Sequence, residues 1–208
     1  MDIVNKVIED YMLHVIPERD AVLTEMERLA EERHFPIVGP LVGRFLYQLV
    51  LLTKPKRILE LGSGYGYSAY WLAKALPKIG KIICTESSEQ NATLAQEFLK
   101  RSSVAHKVEF RVGNALEIID QVKGKFDMVM CDIDKHQYPQ AYRKSIPLLK
   151  KGGIFVADNV LWSGRVLDPK PDRSTAGILT FTRLVYSSPE MFTTIIPLRD
   201  GLVVSVKR

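Results

Sequence analysis

The sequence predicts a single α/β domain built on a mostly parallel seven-stranded sheet that ends in an antiparallel hairpin. Three observations predict it. Short β-rich runs alternate with helical stretches, a glycine-rich loop follows the first of those runs, and Asp200-Gly201 joins two more β-like runs near the end. Alternation of this kind requires right-handed crossovers, which cover both faces of a parallel sheet with helices. A chain of 208 residues, 46% hydrophobic and 25% charged, suits one domain with one sizeable core.

Residues 1–52 read as N-terminal helices and residues 53–208 as the α/β core. Ile3, Val4, Val7, Ile8, Tyr11 and Met12 recur at helical spacing, and a similar pattern covers Ala21–Ala30. His34–Pro40 is a connector, after which Leu41–Leu52 is helical again. The β-rich runs are Arg57–Leu61, Lys81–Thr85, Lys107–Val112, Phe126–Cys131 and Gly153–Ala157. Between them lie helical stretches at Ser68–Leu76, Glu89–Arg101, Ala115–Val122 and Tyr138–Leu149, with one more near Thr175–Tyr186. The Asp-Gly pair that follows is a hairpin-turn signal.

The apolar stretch Phe45–Leu52 is broken by Gln48 and falls far short of the ~20 residues that span a bilayer. The first residues carry acids and no apolar run ahead of a small-residue cleavage site. A cytoplasmic protein with no membrane partner is the expectation. Cys84 and Cys131 each sit inside a β-like apolar run, so buried reduced thiols are expected. The net charge of +5 comes from lysines and arginines spread along the chain, which a solvated surface explains. An anionic partner such as RNA or a coenzyme A ester is the alternative.

Glu60-Leu61-Gly62-Ser63-Gly64-Tyr65-Gly66 follows the first run and opens a helix, where backbone amides point outward and glycines admit a ligand close to the chain. Tyr67 stands where a dinucleotide fingerprint needs its third glycine, which argues against NAD. Glu86, 20 residues after Gly66, can accept hydrogen bonds from both hydroxyls of a ribose. Gly113-Asn114-Ala115 is placed to meet an adenine edge, and Asn114 reads equally as a helix N-cap. Glu60, just ahead of the glycines, suits an ammonium group. Ammonium, ribose and adenine together describe S-adenosylmethionine.

The fourth run ends in Asp132 and the fifth in Asp158-Asn159. If those strands are neighbours, three oxygen donors converge at the carboxyl edge of the sheet, where open α/β folds bind ligands. Oxygen donors without His or Cys favour a hard cation, Mg²⁺ first, with Mn²⁺ or Ca²⁺ as alternatives. Lys135, three residues beyond Asp132, is the candidate base, its alternative being a solvated loop lysine. Tyr65 and Trp162 read either as rings that stack on adenine or an acceptor, or as core and lid packing.

From about Pro36 to Arg208 the chain resembles the cation-dependent O-methyltransferases, the family of catechol and caffeoyl-coenzyme A O-methyltransferases and their small bacterial relatives. The resemblance is carried by Leu59–Ser68, Asp132–Tyr138, Asp158–Val166 and Pro197–Leu202. It implies a Rossmann-like class I S-adenosylmethionine-dependent methyltransferase fold, with Asp132, Asp158 and Asn159 holding the cation, Lys135 as general base and Glu86 on the ribose. Further cofactor contacts are implied at Glu60, Gly62, Ser63, Gly64, Gly66, Tyr67 and Ser68. Others are implied at Ser87, Asn114, Ala115, Asp132 and Asp134. Pro36-Ile37 stands where relatives often have Met-Gln, and Phe181-Thr182 where they often have Phe-Asn, departures that bear on the acceptor. The expected reaction is methylation of a hydroxyl on a small aromatic acceptor, catechol-like or hydroxycinnamoyl-type, by a homodimer. Methylation of a hydroxyuridine in tRNA and a non-catalytic cofactor-binding protein are the other readings.

Overall fold

The computed structural model describes residues 2–208. Helices α1 (Lys6–Val15), α2 (Ala21–Arg33) and α3 (Gly39–Thr53) precede the sheet. Helix α1 starts later than the apolar spacing from Ile3 suggests, because Asn5 caps it by accepting from the Val7 amide at 2.9 Å. None of its residues is buried, whereas α2 buries Leu23, Met26 and Ala30.

The strands are β1 (Arg57–Leu61), β2 (Lys81–Glu86), β3 (Val108–Val112), β4 (Phe126–Cys131), β5 (Leu149–Ala157), β6 (Met191–Ile196) and β7 (Leu202–Lys207). They form one seven-stranded sheet in the order β3-β2-β1-β4-β5-β7-β6, parallel from β1 to β5, with β7 antiparallel to both neighbours. The crossover helices are α4 (Tyr67–Ala75), α5 (Glu89–Lys100), α6 (Ala115–Gln121) and α7 (Tyr138–Ser145), and α8 (Arg173–Ser187) leads into the hairpin. Helices α2 to α5 pack on one face around Leu46, Trp71 and Phe98. Helices α6 to α8 pack on the other around Tyr142, Phe155 and Phe181, and α1 lies against α3. Gly43 lets α3 lie against α4, since a side chain there would overlap the Trp71 indole.

Two boundaries differ from the sequence reading. Helix α7 stops at Ser145 and strand β5 starts at Leu149, because Pro147 has no amide to continue the helix and leaves a single 3-10 turn, Ile146–Leu148. The β6–β7 connection is not a two-residue turn at Asp200-Gly201 but the longer segment 197–201. Arg199 and Gly201 both take left-handed backbone there, at φ 53° and 83°.

The lysines and arginines stay spread over the surface, some of them at one edge of the sheet. Every loop that enters a parallel strand comes to the same edge of the sheet, and those loops carry exposed Lys54, Lys56, Lys78, Lys81, Lys123 and Lys125. Cys84 and Cys131 are buried free thiols. Among the described residues no helix is long and apolar enough to cross a membrane.

Candidate active site

A cavity of about 640 Å³ opens along the carboxyl ends of β1, β2, β4 and β5. Its first half is the loop after β1. Gly62, at φ 81°, lies so close to the Asp132 carbonyl that any side chain would collide with it. The Ser63 amide is held by the Thr85 carbonyl at 3.0 Å. Gly64 donates its amide to Glu86 Oε2 at 2.8 Å, while Glu86 Oε1 accepts from the Ser88 amide at 2.9 Å. Glu86 thus ties the loop to the end of β2 and still faces the cavity. Asn114 fills both roles that its sequence allowed, capping α6 by accepting from the Leu116 amide at 2.8 Å and lining the cavity. Ser63, Tyr67, Ser68, Ser87, Ala115 and Asp134 line it too.

Two of the expected cofactor contacts lie outside the cavity wall. Glu60 is fully buried, and its Oε2 accepts from Ser63 Oγ at 2.6 Å and Cys84 Sγ at 3.3 Å. Burial pushes its pKa above the ordinary carboxyl range. It braces the loop through Ser63, while its Oε1 is buried without a hydrogen-bond partner among the described residues. Gly66, at φ 87°, packs against Ala95 and Phe110 as it turns the chain into α4. Sequence spacing alone could not tell a loop residue that faces a ligand from one that supports it.

The second half brings Asp132 and Asp158 together, because β4 and β5 pair in register with Cys131 opposite Ala157. Asp158 is 1% exposed, and burial first, then the negative charge of Asp132, pushes its pKa up to about 7. Its Oδ1 accepts from the Asn159 amide at 2.8 Å. Asn159 takes left-handed backbone at φ 58°, and its Nδ2 donates to Asp200 Oδ2 at 3.3 Å, which leaves the amide oxygen for a ligand. Among the described residues no cluster of three or more His, Cys, Asp or Glu side chains forms a metal site. The set here is two carboxylates and an amide. A buried carboxylate facing a second one calls for positive charge, and all the donors are oxygens, so these residues fit a hard divalent cation.

Lys135 is not a solvated loop lysine. Its side chain is 10% exposed, with Nζ 2.6 Å from Asp132 Oδ1 and donating to the Tyr138 hydroxyl at 2.9 Å. Tyr138 in turn donates to the Asp158 carbonyl at 2.9 Å and is backed by the buried Phe181 ring. Trp162 lies over Lys135, 5.8 Å from Nζ to ring centre, as part of the wall. Tyr65 is core, since its hydroxyl donates to the Met26 carbonyl at 2.9 Å and its ring packs on Phe35. Pro36 and Ile37 do line the cavity. The sequence reading missed Tyr138, Arg199 and Asp200 as contributors, although Tyr138 follows Lys135 by one helical turn and Arg199 is a charge in the middle of a turn segment.

The profile of the family described as O-methyltransferase matches residues 17–208. A catechol O-methyltransferase from Niastella koreensis is 34% identical over 200 residues, which cover 91% of this chain and 90% of that one. Caffeoyl-CoA O-methyltransferase 1 from Arabidopsis thaliana is 31% identical over 176 residues, 78% of this chain and 68% of the relative. Among solved structures, the Bacillus cereus O-methyltransferase in complex with SAH aligns with a TM-score of 0.89 at 29% identity, over 97% of both chains. The O-methyltransferase TomG from Streptomyces achromogenes, in complex with SAM, aligns with a TM-score of 0.89 at 30% identity, over 97% of this chain and 96% of that one.

Proposed function

The chain belongs to the O-methyltransferase family and is an S-adenosylmethionine-dependent O-methyltransferase, and on that premise we propose that it methylates one hydroxyl of a small aromatic diol with the help of a divalent cation. The observation that carries the reading is a single cavity with two chemically distinct ends. The Gly62–Gly64 loop, Glu86 and Asn114 supply amides and a carboxylate for an adenosine. Asp132, Asp158, Asn159 and Lys135 supply oxygen donors and an amine from the ends of the neighbouring strands β4 and β5.

Asp132, Asp158 and Asn159 would hold the cation, with Asp200 orienting the Asn159 amide. A cation bound there would lower the pKa of an acceptor hydroxyl and align it. Lys135 is placed to take the hydroxyl proton and pass it to solvent. Tyr138 fixes the Lys135 amine by accepting from it, and Asp132 holds it from the other side. The acceptor oxygen then bonds to the methyl carbon as the carbon–sulfur bond breaks, leaving S-adenosylhomocysteine. Trp162 and Pro36 line the cavity.

The test incubates the purified protein with labelled S-adenosylmethionine, Mg²⁺, a panel of catechols and total tRNA, with and without chelator. Label in a catechol that disappears on chelation is the expected result. Full activity after metal removal would refute the cation, and label in tRNA alone would replace the acceptor class. The tRNA reading has less behind it, because the similar catechol and caffeoyl-CoA enzymes are named for small aromatic acceptors. We also infer a homodimer, from the exposed Val7, Ile8, Tyr11 and Val15 on α1 together with the family resemblance. Sedimentation at micromolar concentration tests it, and a monomer there would overturn it.

A further inference from the structure

Arg199 brings a positive charge to the cavity wall, and among the described residues no hydrogen bond or close ion pair holds it. Two cations line the cavity, Lys135 and Arg199. Lys135 is bonded to Asp132 and Tyr138. Among the described residues the Arg199 guanidinium makes no hydrogen bond, no ion pair within 4 Å and no ring contact, and the charge it acts on is that of Asp158 at longer range. It is half-buried, with Nε 3.7 Å from where a side chain on Gly39 would begin. It also borders a neighbouring cavity of about 470 Å³ below α1 and α2. Its backbone is left-handed at φ 53°, where glycine would sit without strain.

The sheet order assigns this side chain to the acceptor. The loop and carboxylate proposed for the donor come from the ends of β1, β2 and β3, whereas Arg199 is on the β6–β7 connection beyond β5. Its chain neighbour Asp200 is the group that holds the Asn159 amide. The Arg199 charge also reaches Asp158 and opposes the upward shift of that carboxyl. A diol held at Asp132 and Asp158 would share this cavity with a half-buried, planar donor that matches a carboxylate bidentately.

We propose that Arg199 is a specificity residue that selects aromatic diols carrying a carboxylate on the ring or on a short side chain. This rests on the acceptor class proposed above. The proximity of Arg199 to the Asn159–Asp200 pair favours a short acid over the phosphates of a coenzyme A thioester, which lie at the end of a long arm.

Equilibrium binding separates the alternatives without turnover. Calorimetry would compare catechol, 3,4-dihydroxybenzoate and caffeoyl-coenzyme A on the S-adenosylhomocysteine complex with Mg²⁺, for the wild type, Arg199→Gly and Arg199→Lys. Glycine suits the left-handed backbone, so the fold is not at risk. The wild type should prefer the acid over catechol by roughly 10- to 100-fold, the span of a hydrogen bond to a charged group. Arg199→Gly should bring that ratio to within about twofold, and Arg199→Lys should recover part of it. Affinity for S-adenosylhomocysteine should stay unchanged, and taking the acid-to-catechol ratio cancels any effect of the lost charge on the cation site. No preference in the wild type overturns the proposal. So does a loss confined to the thioester, which would make the phosphates the ligand, or a loss of S-adenosylhomocysteine affinity, which would put Arg199 on the donor. If the acid preference depends on Arg199 but neither diol is methylated, the proposed reaction fails while the selectivity stands.

Discussion

Asp158 gives a test of the cation that does not depend on catalysis. Its carboxyl is 1% exposed, and burial followed by the charge of Asp132 raises its pKa from the ordinary 3.8 to about 7. A carboxyl with a folded pKa above its unfolded one favours folding only while protonated. The contribution is full below about pH 4 and is lost as pH rises through about 7. A gap of roughly 3 pH units corresponds to about 4 kcal/mol. The ligand-free protein should lose up to that amount from this residue across the window. Asp158→Asn cannot titrate, so the difference between the two stability curves isolates the effect. A divalent cation binds the ionised form and should offset the loss near pH 7, by about 2.7 kcal/mol at a hundredfold excess over Kd. The assay is urea unfolding in chelator at half-unit pH steps, followed by tryptophan fluorescence, and then repeated with Mg²⁺. Parallel curves for wild type and variant would refute the electrostatic argument. Equal stabilisation of both by Mg²⁺ at neutral pH would remove Asp158 from the cation site.

Three other perturbations follow from the geometry. Lys135→Ala should lower kcat by roughly 10² to 10⁴ with cofactor affinity unchanged, and higher pH should restore part of the rate; a variant with wild-type kcat at neutral pH would leave Lys135 only a counter-ion to Asp132. Because Lys135 is packed under Trp162 and bonded to Tyr138, thermal unfolding of the same variant should also show a cost of about 1 to 3 kcal/mol. Glu86→Ala should weaken S-adenosylmethionine binding by roughly 1.5 to 3 kcal/mol in calorimetry, and an unchanged affinity would remove Glu86 from the ribose. Glu60→Gln should leave S-adenosylmethionine affinity nearly unchanged, since this side chain braces Ser63 from behind; a tenfold loss would restore it to the ammonium.

The donor half of the site was legible because it is local. Glycines after a β-rich run, a carboxylate at the end of the next run and Asn114 after the third are each read within a short window, and strand alternation brings those windows to one edge. What a window cannot give is orientation. Glu60 and Ser63 are three residues apart in one motif, yet one is sealed beneath the loop and the other lines the cavity. Strand periodicity distinguishes the two faces of a sheet and says nothing of a loop that folds back over its own strand. The same limit applies to Tyr65, which sits among the glycines but turns its ring into the core against Phe35 and Phe98.

The half of the cavity proposed for the acceptor depends on contacts between distant segments, and there the turn signal at Asp200-Gly201 located the hairpin but not its length. An Asp-Gly pair is read as a tight hairpin because Asp and Gly tolerate left-handed backbone. Here the connection is longer, and both residues serve contacts far away in sequence. Gly201 has no room for a side chain against Leu161, and its carbonyl accepts from the Val160 amide at 3.0 Å. Asp200 accepts from the Ser163 amide and from Asn159 Nδ2. The hairpin therefore fixes the segment after β5 that carries Asn159 and Trp162, and it does so with the residues that local propensity assigns to the turn itself. A change at the far end of the chain should consequently act on the oxygen donors before it acts on the donor loop. Asp200→Ala would free the Asn159 amide to rotate while leaving Glu86 and Gly64 bonded to each other, so cation affinity should fall and S-adenosylmethionine affinity should hold. Calorimetry with each ligand alone distinguishes this from a general loosening of the fold, in which both affinities would fall together.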